Sequence, residues 1–260
     1  MTDARANASK TVRLRVRRQD GRDDPASRRW EEFEVPVTDE LTVMGCLDHV
    51  RREPKTADGK DVAPVAFDAA CNREACGSCA MLINGRVALA CATPVAQASP
   101  KGKPIVLEPL SKFPVERDLV VDRSRMEESL VRVRAWTELD GTASASPAPA
   151  ESVDHQAERY AIARCISCGA CLEACPEYGP SSAFVGAAAI AEAHHEELHP
   201  SPSVHRRARV ESLMTAGGVA DCGKAQNCVE VCPVGVPLVE SIGAMSRATS
   251  KHLLFGWLLK

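Results

Sequence analysis

Cysteine is the residue that most constrains this chain, because twelve cysteines occur in 260 residues and eleven of them fall into three blocks. The content lies below the ~8–10% that marks a disulfide scaffold. It is nevertheless far too high for an intracellular protein to keep as idle thiols. The amino terminus lacks the apolar segment of a secretory signal, which indicates a reducing compartment. The sequence therefore predicts that most of these cysteines bind metal.

The first block has the spacing C-x4-C-x2-C-x11-C, which is typical of plant-type [2Fe–2S] sites. Its members are Cys71, Cys76, Cys79 and Cys91. The small residues Gly77, Ser78 and Ala80 allow the loop to curl with its amides facing the sulfurs. The alternatives are a zinc site or free core thiols, but zinc usually takes two separated C-x2-C pairs. The spacing favours a [2Fe–2S] cluster.

The second block, C-x2-C-x2-C-x3-C-P, is the bacterial ferredoxin signature. It consists of Cys165, Cys168, Cys171 and Cys175. A third block reads C-x5-C-x3-C-P and consists of Cys222, Cys228 and Cys232. When the two blocks are aligned on their Cys-Pro ends, Cys168 faces Ala225. The third block is therefore interpreted as a degenerate repeat that has lost one cysteine.

The cysteine before proline ligates the other cluster in two-cluster ferredoxins. This rule predicts a [4Fe–4S] site formed by Cys165, Cys168, Cys171 and Cys232. It leaves three thiols for a [3Fe–4S] cluster, namely Cys175, Cys222 and Cys228. Cys46 remains, and its place on a predicted helix favours a buried small hydrophobic residue.

Hydrophobic patterning divides the chain into two halves. The first half shows strand-like alternation of apolar and polar residues at 11–18, 33–37, 80–83, 87–91 and 105–107. It also contains a helical pattern that Thr38 or Asp39 would cap. Together these patterns predict an α+β domain. Helical patterns follow at 153–164, 183–195, 204–216 and 238–247.

The stretch between the two halves is rich in Gly, Ala, Ser and Pro, and it reads as a linker. We predict a plant-type ferredoxin (β-grasp) domain with a connecting helix over 1–139, a linker over 140–152, and an all-helical, bacterial-ferredoxin-like domain over 153–260.

Charge and motifs exclude several functions. The net charge of −3 gives no basic excess for nucleic acid, and the chain has neither a G-x-G-x-x-G motif nor a P-loop. No stretch approaches the ~20 apolar residues of a membrane span. The apolar tail Leu253–Leu259 is expected to dock on the anchor subunit or lie at the membrane interface, or else to pack on its own domain. The histidines His194, His195, His199 and His205 are explained by a polar loop.

The chain resembles the iron–sulfur subunit of succinate dehydrogenase and fumarate reductase. Besides the cysteine spacing, the resemblance rests on Leu107–Met126 and on the sequences CLEACPEYG and DCGKAQNCVEVCPVGVPL. The resemblance is particularly to the bacterial branch anchored by a single dihaem cytochrome b. It implies a subunit that passes electrons between the FAD of a flavoprotein partner and a membrane quinone, with succinate and fumarate chemistry on the partner. It also implies attachment to the cytoplasmic face of the bacterial inner membrane through the haem b anchor.

The chain departs from ubiquinone-reducing members of this family at two positions. Those members carry a Trp shortly after the first Cys-Pro and a His after the first cysteine of the last block, where this chain has Glu177-Tyr178-Gly179-Pro180 and Gly223. The departure fits menaquinone. Two alternatives stay open, namely the iron–sulfur subunit of another flavin-dependent respiratory reductase and a soluble multi-cluster electron carrier.

Overall fold

A computed structural model of the chain describes residues 11–38, 40–137, 151–199 and 205–256. It divides into two compact units, Met1–Asp122 and Arg123–Lys260. The first unit combines a sheet with short helices, and the described part of the second unit is helical. This is the expected order, a [2Fe–2S] ferredoxin-like α+β domain followed by a helical ferredoxin domain.

The regular elements of the amino-terminal unit alternate strands with short helices. They are β1 (Thr11–Arg18), β2 (Arg29–Pro36), α1 (Val43–Arg52), β3 (Ala80–Ile83), β4 (Arg86–Leu89), α2 (Val95–Ala98), β5 (Ile105–Glu108), β6 (Val115–Arg117) and β7 (Val120–Val121). The main sheet has the order β2-β1-β5-β3-β4, in which β1 and β5 are parallel and the other pairs antiparallel. The parallel pair lies at the centre, as it does when a helical crossover returns the chain beside its first strand.

The core of this unit follows from period-2 alternation. Val12, Leu14 and Val16 of β1 are at most 5% exposed, whereas Arg13 and Arg15 between them face solvent. The predicted strand segments are confirmed, but β2 ends at Pro36 and β4 ends at Leu89.

Helix α1 is capped by Thr42, whose hydroxyl accepts a hydrogen bond from the Gly45 amide at 3.2 Å. The prediction that Thr38 caps this helix was wrong, because the helix begins at Val43. The alternative cap, Asp39, lies outside the described residues.

A buried ion pair anchors the long loop between α1 and β3. The Arg18 side chain, 1% exposed, donates to Asp118 at 2.8 Å, to Glu31, and to the Ala63 carbonyl at 3.0 Å. The other oxygen of Asp118 accepts from the Ala66 amide at 2.8 Å. The loop that carries the first three cysteines of its block is thus fixed at its start by paired charges that cannot reach water.

The carboxyl-terminal unit contains seven α-helices among its described residues. They are α3 (Ser124–Arg132), α4 (Val153–Ala163), α5 (Ala170–Glu173), α6 (Ala187–Glu197), α7 (Arg206–Ser212), α8 (Asn227–Glu230) and α9 (Leu238–Phe255). The four long helices expected here are present. Helix α6 starts later than expected because Gly186 has φ +89°, which is incompatible with a right-handed helix, and α9 continues to Phe255.

Helix α3 belongs to the second unit, whereas the sequence pattern placed it in a first domain ending at residue 139. Arg125 of α3 stacks on the Tyr178 ring at 4.3 Å and donates to the Gly179 carbonyl, and Arg132 donates to the Ala183 carbonyl at 3.0 Å. These contacts explain why the division falls after Asp122. Residues 140–150 of the predicted linker lie outside the described residues.

Candidate functional site

The first cysteine block lies on a loop whose backbone turns its amides toward sulfur. Asn72, Glu74 and Gly77 have left-handed φ values of 53°, 63° and 72°. The amides of Arg73 and Ala75 donate to Cys71 Sγ at 3.4 and 3.3 Å, and the Glu74 amide donates to Cys91 Sγ at 3.3 Å. Such a nest of amides suits an anionic sulfur centre.

The fourth cysteine of this block reaches the loop from the β3–β4 hairpin. The hairpin turn is Asn84-Gly85, as predicted, and it brings Cys91 Sγ to 3.4 Å from Cys79 Sγ. A hydrogen bond from the Ser78 side chain lowers the pKa of Cys76 to about 6, while burial raises that of Cys79 to about 11. Four thiols and three sulfur-directed amides fit a [2Fe–2S] cluster of the plant type.

The two blocks of the helical unit share one backbone pattern. Ser167 and Gly169 in the second block have left-handed φ values of 50° and 81°, and Lys224 and Gln226 at the aligned positions of the third have 58° and 62°. A one-turn helix, α5 or α8, begins directly after each of these pairs. Ala225 therefore lies at the backbone position that Cys168 holds in the second block. The degenerate repeat inferred from sequence is present in the structure.

Seven cysteines of the helical unit line two separate cavities of about 20 Å³ each. One cavity is lined by Cys165, Cys168, Cys171 and Cys232. The other is lined by Cys175, Cys222 and Cys228, together with Ala225. Each set thus takes one cysteine, Cys232 or Cys175, from the opposite block.

Burial dominates the electrostatics of these thiols. Burial is the main cause that raises the pKa of Cys171, and the neighbouring thiols of Cys168 and Cys165 raise it further. Burial also raises the pKa of Cys228, and the thiols of Cys175 and Cys222 raise it further. A thiol that resists ionisation in a low-dielectric site would lose its proton to solvent as its sulfur ligates a metal, so metal binding here would be coupled to deprotonation.

The core of the helical unit is built around these sulfurs. Small and aliphatic side chains form it, and Cys165, Cys171, Cys228 and Cys232 pack against it. The core residues are Ile162, Ala187, Ala191, Val236 and Leu238. The Val236 amide also donates to Cys232 Sγ at 3.3 Å. Within the described ranges, no group of three or more His, Cys, Asp or Glu side chains has the geometry to hold a single metal ion.

Sequence reasoning missed a contact at the three-cysteine cavity. Glu177 and Gly223 were noted separately as departures, yet they are neighbours, since the Glu177 carboxylate fills the space that a Cβ atom on Gly223 would need. Both residues line the cavity of Cys175, Cys222 and Cys228. Local patterning carries no signal for a contact between two blocks this far apart in sequence.

The remaining candidates have structural roles. Cys46 is fully buried, as predicted, and burial raises its pKa to about 12. The polar-loop explanation was wrong for His194 and His195, which lie on α6. His194 is 5% exposed and shares a hydrogen bond with Ser241 at 3.3 Å. His205 meets the Trp136 ring edge-on at 5.3 Å.

Fold and sites together define a two-domain iron–sulfur protein for electron transfer. Residues 13–128 match the family model of a 2Fe-2S iron-sulfur cluster binding domain, and residues 161–236 match that of a 4Fe-4S dicluster domain.

The chain belongs to the iron–sulfur subunits of succinate dehydrogenase and fumarate reductase, and it is an electron-transfer subunit of that oxidoreductase family. It is 41% identical to the succinate dehydrogenase iron-sulfur subunit of Bacillus subtilis over 241 residues, which cover 93% of each chain. It is 30% identical to the fumarate reductase iron-sulfur subunit of Haemophilus influenzae, over 87% of this chain and 88% of the relative.

A solved structure shares the fold. The Mycobacterium smegmatis Sdh1 complex in the apo form contains a chain that aligns with a TM-score of 0.78 at 23% identity, over 94% of this chain and 98% of that one.

Proposed function

We propose that this chain passes electrons between the FAD of a flavoprotein subunit and a membrane quinone, as part of a complex that interconverts succinate and fumarate. Iron–sulfur clusters supply one-electron transfer when bound, and this chain's cysteines and amides hold them and set their potentials. The observation that carries the proposal is the division of seven helical-domain cysteines into sets of four and three in two cavities. Relatives named as subunits of both enzymes support it.

We assign the ligands so that each cluster of the helical unit takes one cysteine from the opposite block, which we call the crossed assignment. The [2Fe–2S] cluster is held by Cys71, Cys76, Cys79 and Cys91. The [4Fe–4S] cluster is held by Cys165, Cys168, Cys171 and Cys232, and the [3Fe–4S] cluster by Cys175, Cys222 and Cys228. Ala225 lies at the place where a fourth iron would need a thiolate, which favours three irons in that cavity.

The partners and the quinone are also part of the proposal. The flavoprotein carries the dicarboxylate site, and a cytochrome b anchor with haem b attaches the subunit to the cytoplasmic face of the bacterial inner membrane. We propose menaquinone as the quinone, because Glu177-Tyr178-Gly179-Pro180 and Gly223 replace the stretches in which ubiquinone-reducing members carry a Trp and a His. Among the described residues, no helix is both long and apolar enough to cross a bilayer.

Low-temperature EPR on the purified native complex tests the function. We expect an oxidised three-iron signal that disappears when succinate is added, while a reduced [2Fe–2S] signal appears. If the three-iron signal is present but does not respond to succinate, another flavin-dependent reductase is the partner. A chain that purifies loaded and alone, without flavoprotein or haem, would instead be a soluble electron carrier.

Serine variants test the crossed ligand assignment. Cys175→Ser should alter the three-iron signal, although Cys175 belongs to the second block, and Cys232→Ser should alter the four-iron signal. Cys46→Ser is the matched control, because Cys46 is buried in the other unit and lies on α1. If Cys175→Ser changed the four-iron signal alone, each cluster would be held by its own block and the crossed assignment would be wrong.

A further inference from the structure

A wide groove lies in the helical unit between α7 and the carboxyl-terminal half of α9. Its volume is about 910 Å³. Four cationic side chains line it, namely Arg206, Arg207, Arg247 and Lys251. Its apolar lining comes from Val210, Ala244, Ala248 and Phe255. The groove therefore combines positive charge with an apolar surface.

The carboxylates near this groove are already engaged. Glu197 pairs with Arg206 at 2.8 Å and with the buried Arg209 at 2.7 Å. Glu211 pairs with Arg207 at 2.8 Å and with His252 at 3.3 Å. Each acidic side chain is thus shared between two basic ones, which leaves the groove with a net positive charge.

Arg247 and Lys251 carry the uncompensated charge. Both are exposed, and within the described residues neither has a carboxylate at ion-pair distance. They lie four residues apart on α9, so they are neighbours on one helix face, where like charges repel. An anion bound between them would relieve this repulsion.

The groove adjoins a patch of exposed apolar side chains at the end of α9. Leu253, Leu254 and Phe255 are 72%, 63% and 54% exposed. Cations beside exposed leucine and phenylalanine are typical of elements that lie at a membrane interface. A free phosphate ion would use the cations only, whereas a phospholipid would also cover the apolar patch.

We propose that this groove binds the phosphate headgroup of an anionic phospholipid, with Arg247 and Lys251 on the phosphate and Leu253 and Phe255 at the acyl boundary. The inference rests on the proposed membrane attachment and adds to it a direct lipid contact by this subunit. Each basic residue near an anionic surface strengthens attachment several-fold, and salt weakens the effect.

Vesicle co-sedimentation of the full-length, cluster-loaded chain tests the proposal. Vesicles of phosphatidylglycerol mixed with phosphatidylcholine should bind the chain, and pure phosphatidylcholine vesicles should bind it far more weakly. The double variant Arg247→Gln/Lys251→Gln should lower binding about 30-fold, since two surface charges are lost. The matched control is Lys101→Gln/Lys103→Gln, which removes two exposed cations of the other unit and should leave binding unchanged.

Three results would overturn the proposal. One is phosphatidylglycerol binding that the groove variant does not weaken. A second is displacement by excess inorganic phosphate at constant ionic strength, which would identify a free-phosphate site. The third is protection of the groove from arginine-modifying reagent in the detergent-purified, delipidated complex, which would identify a protein subunit as its occupant. EPR of the same variant separates this test from the proposed function, because the three cluster signals and their response to succinate should not change.

Discussion

The carboxylate of Glu177 occupies the space beside Gly223 that any larger residue at this position would need. Glu177 Cδ and Cγ also lie within 3.1 and 3.2 Å of a Cβ placed there, so more than the mobile carboxylate tip would have to move. The side chains at these two positions therefore compete for one space beside the cavity of Cys175, Cys222 and Cys228.

Gly223→His should destabilise the cluster-loaded chain by no more than about 1 kcal/mol, because the imidazole must displace the Glu177 side chain, which is exposed and can move. Thermal unfolding measures this loss. Adding Glu177→Ala should recover most of it, since the smaller side chain vacates the space. Equal destabilisation by Gly223→His in both backgrounds would show that the two positions are independent.

Ala225→Cys should convert the three-iron centre toward a four-iron centre. The variant places a thiol at the backbone position that corresponds to Cys168 in the aligned block. EPR of the air-oxidised complex should show a weaker three-iron signal. Ala220→Cys is the control, because Ala220 is exposed nearby but does not line the cavity. An unchanged three-iron signal in Ala225→Cys would contradict the assignment.

Sequence spacing was sufficient for the cysteine blocks and the strand pattern because both are local signals. The division of the helical-unit thiols into two sets was predicted from the repeated cysteine block. The same repeat is visible in the backbone, where Ser167 and Lys224 are both left-handed.

The features that sequence reasoning missed depend on contacts between distant segments. The domain division after Asp122 is set by Arg125 and Arg132 of α3, whose carbonyl partners lie in the loop before α6. The burial of His194 depends on α9, which supplies Ser241. No periodicity within α3 or α6 encodes these partners.

Asp118→Asn should destabilise the amino-terminal unit by about 1–3 kcal/mol, because it removes one of the two carboxylates paired with the buried Arg18 and leaves Glu31 as the other. Arg18 and Asp118 are 1% and 0% exposed, so the remaining guanidinium would lose a charged partner where water cannot replace it. Denaturant midpoints measure the change. Glu34→Gln breaks an exposed pair with Arg13, in which both side chains are 47% exposed, and it should change stability by less than about 1 kcal/mol. Similar losses in the two variants would rule out burial as the cause.

Protonation of His194 should weaken the helical unit in mild acid. Burial lowers the pKa of His194 below its ordinary value, Arg247 lowers it further, and the carboxylates of Glu158 and Glu197 oppose these effects only in part. The unfolded chain therefore binds a proton at this site more readily than the folded chain does. Stability is full above the unfolded pKa of about 6.5 and decreases as the pH falls toward the lower folded pKa.

His194→Gln should remove this pH dependence, because glutamine keeps a polar partner for Ser241 and does not titrate. We expect the difference in denaturant midpoint between neutral and mildly acidic buffer to shrink in the variant relative to the native chain. His155→Gln on the exposed face of α4 is the control, because it removes a histidine of the same unit that makes no buried contact among the described residues, and it should leave the difference unchanged. If the His194 variant kept the full acid sensitivity, the titrating group would lie elsewhere in the helical unit.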